Sequence, residues 1–184
     1  MTQSLLTWSA VAVLLFWSVG AYNRLVRLRA DVNAAFAQVD AQLQQEVQLV
    51  ESLLASDRQP PDSLFPGQGQ PSFWGGLHGA ALQLAATLAQ VRARPLDAQR
   101  VDALAAANGV LRMAWERVER EDAHDLAGPR LPHSLATTRD QLVTQASAAV
   151  EQFNQAVARY NAAVAQFPAA LLAWIFGFKP GHAL

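Results

Sequence analysis

The positions of the nine prolines constrain this chain more than any other feature of its sequence. A proline inside a helix costs about 3 kcal/mol or more, because it removes a hydrogen bond and clashes with the preceding turn. The chain has four long stretches without proline: residues 1–59, 72–94, 96–128 and 133–167. The stretches are separated by a Pro-, Gly- and Ser-rich loop at 56–72 and by shorter breaks at Pro95 and at 129–132. This division predicts four helices, at about 24–55, 73–93, 97–123 and 134–176.

Apolar residues recur within these segments at alternating spacings of three and four. This repeat places an apolar stripe on one face of a helix. The stripe in the last segment is Ala146, Val150, Phe153, Val157, Tyr160, Val164, Phe167 and Leu171. The other stripes begin at Leu25, Leu77 and Val101. Four such faces close into an antiparallel bundle, and no segment shows the alternation typical of a strand. We therefore predict an all-α fold with a four-helix bundle over 24–178 and a short tail over 179–184.

The N-terminal segment is uncharged from Thr2 to Asn23. About 20 helical residues span the hydrocarbon core of a bilayer, and Trp8, Trp17 and Tyr22 lie toward the segment's ends, where aromatic rings favour the interface. We therefore predict a transmembrane anchor over residues 1–23 that continues directly into the bundle, so that the lipid bilayer is the first expected partner.

Arg24, Arg27 and Arg29 follow the apolar segment, and no cation precedes it. Cations on this side oppose export, which favours an uncleaved anchor over the alternative of a secretory signal peptide cleaved near Val19–Ala21. The positive-inside rule then places the bundle in the cytoplasm and the N-terminus outside. The expected location is the cell inner membrane, crossed once.

The composition argues against several classes of chemistry. A net charge of −1 lacks the signature of a nucleic-acid binder, and the absence of cysteine excludes thiol nucleophiles and Cys-ligated metals. The four histidines do not share a helical face at metal-ligand spacing. An acidic cluster at 121–125 is the nearest approach to a metal site, although a solvated helix end explains it more simply. We expect no catalytic residue, no cofactor, no metal and no nucleic-acid partner.

A tandem repeat of seven residues begins at Phe153 and reads FNQAVAR–YNAAVAQ–FPAALLA. Each unit places an aromatic ring in the stripe, and Asn154 and Asn161 follow the first two rings. Aromatic rings at helical spacing usually pack in a core. The two asparagines are open to a second interpretation, since they can form hydrogen bonds between helices or subunits that set the register.

Two stretches resemble the LemA family of small bacterial membrane proteins. Residues 22–43 resemble the family's pattern after the membrane segment, with Tyr22-Asn23, a basic run and a later Gln-Leu pair. Residues 153–178 resemble its aromatic-Asn, Tyr-Asn, Phe-Pro and Gly-Phe signature. The chain departs from the family pattern at 44–52, where a basic pair is usual. The resemblance implies an N-terminal anchor and a cytoplasmic antiparallel helical bundle.

The ten uncharged residues at 169–178 are too short to span a bilayer, but they can lie in its interface with Trp174 as an anchor. The alternative is that Leu171, Leu172, Ile175 and Phe176 cap the core. We expect a non-enzymatic, membrane-anchored scaffold or adaptor that binds a membrane-associated protein and also self-associates as a homo-oligomer. The alternative function is a periplasmic or extracytoplasmic four-helix sensing domain.

Overall fold

The computed structural model describes residues 2–57, 73–124, 133–167 and 169–184. These residues form five helices and contain no strand. The helices are α1 (Thr2–Asp57), α2 (Phe73–Ala93), α3 (Ala98–His124), α4 (His133–Ala165) and α5 (Ala169–Phe176). The prediction of an all-α fold is confirmed. The centre of the Pro-rich loop, the break at 129–132 and Pro168 lie outside the described residues.

Helix α1 combines two regions of different character in one uninterrupted helix of 56 residues. Its N-terminal region is uncharged, and Trp8, Leu15 and Phe16 are exposed there. From Leu25 onward, one face of the helix is buried against the other helices. Within the described residues, α1 is the one helix long and apolar enough to cross a membrane by length and composition. Its charges begin at Arg24, so the candidate span is the uncharged region that precedes the bundle.

The bundle core is built from the predicted stripes. Helix α1 packs against α4 and α2, and α2 packs against α3. The rings of Phe36 in α1 and Phe153 in α4 meet edge to face at 5.8 Å between centroids. The core residues that are least exposed include Val32, Val39, Leu43, Val50, Leu77, Leu84, Leu88, Val91, Val101, Leu104, Leu111, Phe153 and Tyr160. The assignment of these faces to the core is confirmed.

One side of the bundle is open. In the described part of the chain, no Cα atom of α3 lies within 8 Å of a Cα atom of α4. We call the space between these two helices the α3–α4 seam. It extends along the bundle from the α2–α3 turn toward the end farthest from α5.

The α2–α3 turn is held by local hydrogen bonds. The amide of Val101 donates to the carbonyl of Asp97 at 3.0 Å, and the amide of Arg100 donates to the Asp97 carboxylate at 3.3 Å. Asp97 thus caps the start of α3. The guanidinium of Arg92 contacts both carboxylate oxygens of Asp40 at 2.9 Å and ties α2 to α1.

The C-terminal region differs from the prediction of one helix over 134–176. Helix α4 ends at Ala165 and a separate helix, α5, begins at Ala169. A proline at position 168 has no amide hydrogen to donate to the carbonyl four residues earlier, so the helical ladder is interrupted at this point. The stripe loses its phase as a result. Phe167 and Leu171, predicted to be core residues, are 87% and 57% exposed.

Candidate functional site

Helix α5 presents an apolar surface to solvent. Trp174 is 81% exposed, and Leu171, Ile175 and Phe176 are each 57% exposed. We call these four residues the α5 surface. Ala173 is the one residue of α5 that is fully buried. Three of the four residues that would cap the core under the alternative interpretation are therefore exposed, and the fourth, Leu172, is half-buried.

The α5 surface lies beside the point where α1 changes from uncharged to amphipathic. Ala173 packs with Leu25 of α1 and Ala163 of α4. The ring of Tyr22 lies 5.0 Å from the ring of Phe176, measured between centroids. Since Tyr22 is at the end of the uncharged segment, α5 sits at the level where α1 would leave a bilayer.

Gly177 ends α5 and redirects the chain. Its φ of +70° is in the left-handed region, which glycine adopts without a steric penalty. The amide of Phe178 donates to the carbonyl of Ala173 at 2.9 Å, which is the six-to-one hydrogen bond of a Schellman cap. Phe178 also packs against the Leu25 and Ala173 cluster. The cap turns residues 178–184 away from α5 and toward the α3–α4 seam.

A basic cavity of about 670 Å³ opens between α1, the α2–α3 turn and the start of the C-terminal tail. Asp40 and Asp97 line it, but each is already paired with an arginine, Arg92 and Arg100 respectively. The cations Arg29, Arg94 and Lys179 also line it, and no ion-pair partner is found for them among the described residues. The cavity therefore carries an excess of positive charge near the α5 surface.

The C-terminal tail, residues 178–184, is held in the α3–α4 seam by side chains of the seven-residue repeat. The Asn161 side chain donates to the carbonyl of Gly181 at 2.9 Å and accepts from its amide at 2.8 Å. Asn154 makes the same pair of hydrogen bonds with Leu184, at 2.9 and 2.8 Å. The hydroxyl of Tyr160 donates to the carbonyl of Lys179 at 3.0 Å. All five hydrogen bonds go to the main chain of the tail, and each contributes about 0.5–1.5 kcal/mol.

The ring of Tyr160 is buried in the core while its hydroxyl reaches the tail. Burial raises the pKa of Tyr160, and the positive charge of Arg29 opposes this rise in part. The hydroxyl therefore stays protonated at neutral pH and can donate its hydrogen bond.

Apolar contacts also hold the tail in place. Phe178 and Leu184 are half-buried and pack against the main core cluster. A Cβ atom at Gly181 would lie 2.3 Å from Cδ2 of Leu96 and 3.5 Å from Cγ1 of Val157. Only glycine fits at this position without displacing Leu96.

Beyond Leu184 the seam is unfilled and forms a cavity of about 260 Å³. The guanidinium of Arg139 lies 5.4 Å from the Trp115 ring centroid and forms an ion pair with Glu119. Nε of Arg139 is buried and has no hydrogen-bond partner among the described residues. Glu46 of α1, which is only 9% exposed, also lines the cavity.

Glu46 gives the stability of the bundle a pH dependence. Burial raises the pKa of its carboxyl above 4.5, and the charge of Arg139 offsets part of this rise. The folded state therefore holds the proton of Glu46 more tightly than the unfolded state does. The bound proton stabilises the folded state below about pH 4.5, and this stabilisation is lost as the pH rises through the raised pKa. We predict that Glu46→Gln increases the melting temperature relative to the unmodified protein more at pH 7.5 than at pH 4.5.

The measurement is thermal unfolding followed by circular dichroism at both pH values in detergent micelles. Glu51→Gln is the matched control, because Glu51 is on the same helix and exposed. If Glu46→Gln changes the melting temperature equally at both pH values, the buried carboxyl does not control stability in this way.

Among the described residues, no group of three or more His, Asp or Glu side chains is placed to hold a metal ion. The side chains of the acidic cluster at 121–125 lie outside the described part of the chain. His182 instead approaches Asp102 of α3, with Nε2 at 3.3 Å from the carboxylate.

The two asparagines bind a part of the chain that neither sequence interpretation considered. Asn154 and Asn161 are half-buried beside the core and bind the tail of their own chain. Residues 179–184, which the sequence predicts only as a short tail, are part of this site. A signal was present in the spacing. Asn154 and Asn161 are seven residues apart, which is about 10 Å along a helix. Their partners Leu184 and Gly181 are three residues apart, which is about 9 Å along an extended chain. The two spacings therefore match.

The fold and site define an α-helical bundle with an N-terminal helix apolar enough to cross a membrane and a C-terminal tail bound in its open seam. The family model of the LemA family matches residues 80–184, which is more than half of the chain. The chain therefore belongs to the LemA family. The matched region includes the repeat, α5 and the tail. No curated protein and no solved structure matches the chain.

Proposed function

We propose that this protein is a non-enzymatic scaffold or adaptor, anchored in the inner membrane by residues 1–23, that holds its bundle against the bilayer surface and binds a membrane-associated protein. The observation that carries the proposal is the position of the α5 surface beside the end of the uncharged region of α1. The two apolar elements meet at one end of the bundle, so a single bilayer surface can receive both.

The exposed apolar area of α5 favours contact with a bilayer. Burying a Leu, Ile or Phe side chain stabilises a protein by about 1.5–3 kcal/mol, and the three such residues of the α5 surface are more than half exposed. Trp174 suits the headgroup region, where an aromatic ring with a polar edge is favoured. An α5 helix that lies in the interface removes this surface from water. It also turns the basic cavity toward the headgroups.

The anchor orients the bundle through the cations that follow it. We predict that replacing Arg24, Arg27 and Arg29 with Glu partly inverts the protein, because the positive-inside bias is counted close to the membrane segment. C-terminal fusions to alkaline phosphatase, which is active outside the cytoplasm, and to green fluorescent protein report the orientation. Phosphatase activity should be low for the unmodified chain and should rise for the triple variant.

A matched control is the replacement of Arg112, Arg117 and Arg120 with Glu. These residues are exposed on α3, far along the chain from the anchor, so the same change in net charge should leave the orientation unaltered. An active phosphatase fusion on the unmodified protein would contradict the proposed topology and favour an extracytoplasmic domain.

A further inference from the structure

We propose that the α3–α4 seam is a binding groove for an extended polypeptide segment. Residues 178–184 occupy this groove in the structure. A partner segment with a glycine three residues before an aliphatic residue takes their place. This inference rests on the proposed adaptor function and names the kind of partner that the adaptor binds. The partner is a segment of another protein with the same pattern as Gly181 to Leu184.

The first observation is that the groove forms hydrogen bonds to the main chain of the tail. Asn154 and Asn161 each make two hydrogen bonds to one residue of the tail, through its amide and its carbonyl. Every non-proline residue offers the same pair of groups. Any extended segment of suitable shape can therefore satisfy the two asparagines.

The second observation is that few positions of the tail impose a side-chain requirement. A Cβ atom at Gly181 would require the end of the Leu96 side chain to move, and Phe178 and Leu184 pack against the core. Lys179, Pro180, His182 and Ala183 are exposed. The groove thus favours a glycine with an aromatic residue three positions before it and an aliphatic residue three positions after it, and it leaves the exposed positions between them open.

The third observation concerns the space beyond the tail. The tail fills only the part of the seam nearest α5, and the cavity lined by Trp115, Arg139 and Glu46 continues past Leu184. A partner segment that is longer than the tail gains contacts in this cavity. These extra contacts offset the advantage of the tail, whose tether gives it an effective concentration in the millimolar range.

The test uses the full chain in detergent micelles and a fluorescein-labelled, C-terminally amidated peptide, FKPGHAL, with fluorescence anisotropy as the readout. In the variant Gly181→Leu we expect the chain's own tail to bind the groove less well, because the added side chain must displace the end of the Leu96 side chain. We expect the peptide to bind this variant at least about tenfold more tightly than the unmodified chain, whose groove is filled.

Two substitutions in the Gly181→Leu background test the asparagine contacts. Adding Asn161→Ala should weaken peptide binding by about tenfold, since it removes two hydrogen bonds. Adding Gln155→Ala is the matched control: Gln155 is exposed on the same helix, and binding should change by less than about twofold. A peptide with three of the four exposed positions replaced, FSAGSAL, should bind within about threefold of FKPGHAL, and FKPLHAL should bind more weakly than either.

A chain that ends at Phe178 supplies the empty groove by a second route if Gly181→Leu fails to fold. Absence of peptide binding to both chains would overturn the proposal, as would equal effects of Asn161→Ala and Gln155→Ala. Dimers of the unmodified chain that the peptide dissociates would show that the tail of a second copy is the occupant and would refute a partner from another protein. Because the assay contains no bilayer, its failure would leave the membrane role of α5 untouched.

Discussion

Phe153→Ala is expected to lower the free energy of unfolding by about 3–5 kcal/mol. Phe153 is fully buried, and its ring contacts Phe36 at the centre of the packing between α1 and α4. Replacing it with alanine removes apolar contacts and leaves a cavity that the rigid helices fill only in part. The α1–α4 contact joins the longest helix to the helix that carries both asparagines, so the loss affects the whole bundle.

Thermal and urea unfolding of the full chain in detergent micelles, followed by circular dichroism, measures this effect. Gln155→Ala is the control on the same helix, and it should change the free energy of unfolding by less than about 0.5 kcal/mol. Gln155 is exposed, and its side-chain amide donates to the Glu151 carboxylate, one turn away, at 3.0 Å. Equal destabilisation by the two substitutions would mean that the faces of α4 are assigned incorrectly.

The buried faces could be predicted because each depends on one helix alone. A spacing of three and four residues fixes which side of a helix is apolar, whatever its neighbours are. Phe153, Val157 and Tyr160 are accordingly buried as their spacing predicts. Glu46 carries a weaker signal of the same kind, since it is three residues after Leu43 and four before Val50, at the edge of the α1 stripe.

The phase of α5 could not be predicted by continuing the stripe of α4. A helix that restarts after an interruption takes a new orientation, which is set by what it packs against. Here Ala173 meets Leu25 and Ala163, so Leu171 points away from the core. This outcome depends on residues almost 150 positions apart, and a local pattern does not contain it.

The position of the tail between α3 and α4 could not be predicted for a related reason. The tail consists of seven residues, and its last six, KPGHAL, have no helical or strand periodicity. Its place is set by the gap between α3 and α4 and by Leu96 in the α2–α3 turn. The sequence identified Asn154 and Asn161 as unusual. An asparagine side chain can bind the tail of its own chain, a neighbouring helix or another subunit, so the residue type does not tell these three partners apart. Only the fold selects among them.

The second prediction with a large expected effect concerns α5. We expect position 174 to lie within the interface of the bilayer, because Trp174 is 81% exposed and belongs to the α5 surface beside Tyr22. The change Trp174→Glu should move α5 into water, since a charged side chain loses the solvation on which it depends when it enters an apolar phase. The bundle core should be unaffected, so the melting temperature should change little.

The most direct test of the proposed contact between α5 and the bilayer is a depth measurement on the reconstituted full chain. The chain contains no cysteine, so Trp174→Cys and Leu82→Cys each provide one site for a nitroxide label. Leu82 is also apolar and exposed, on α2 away from α5. Electron paramagnetic resonance with oxygen and a water-soluble nickel complex as relaxation agents then reports depth. We predict that the label at 174 is accessible to oxygen and shielded from nickel, whereas the label at 82 is accessible to nickel; equal access of nickel to both labels would contradict the attachment of α5 to the bilayer.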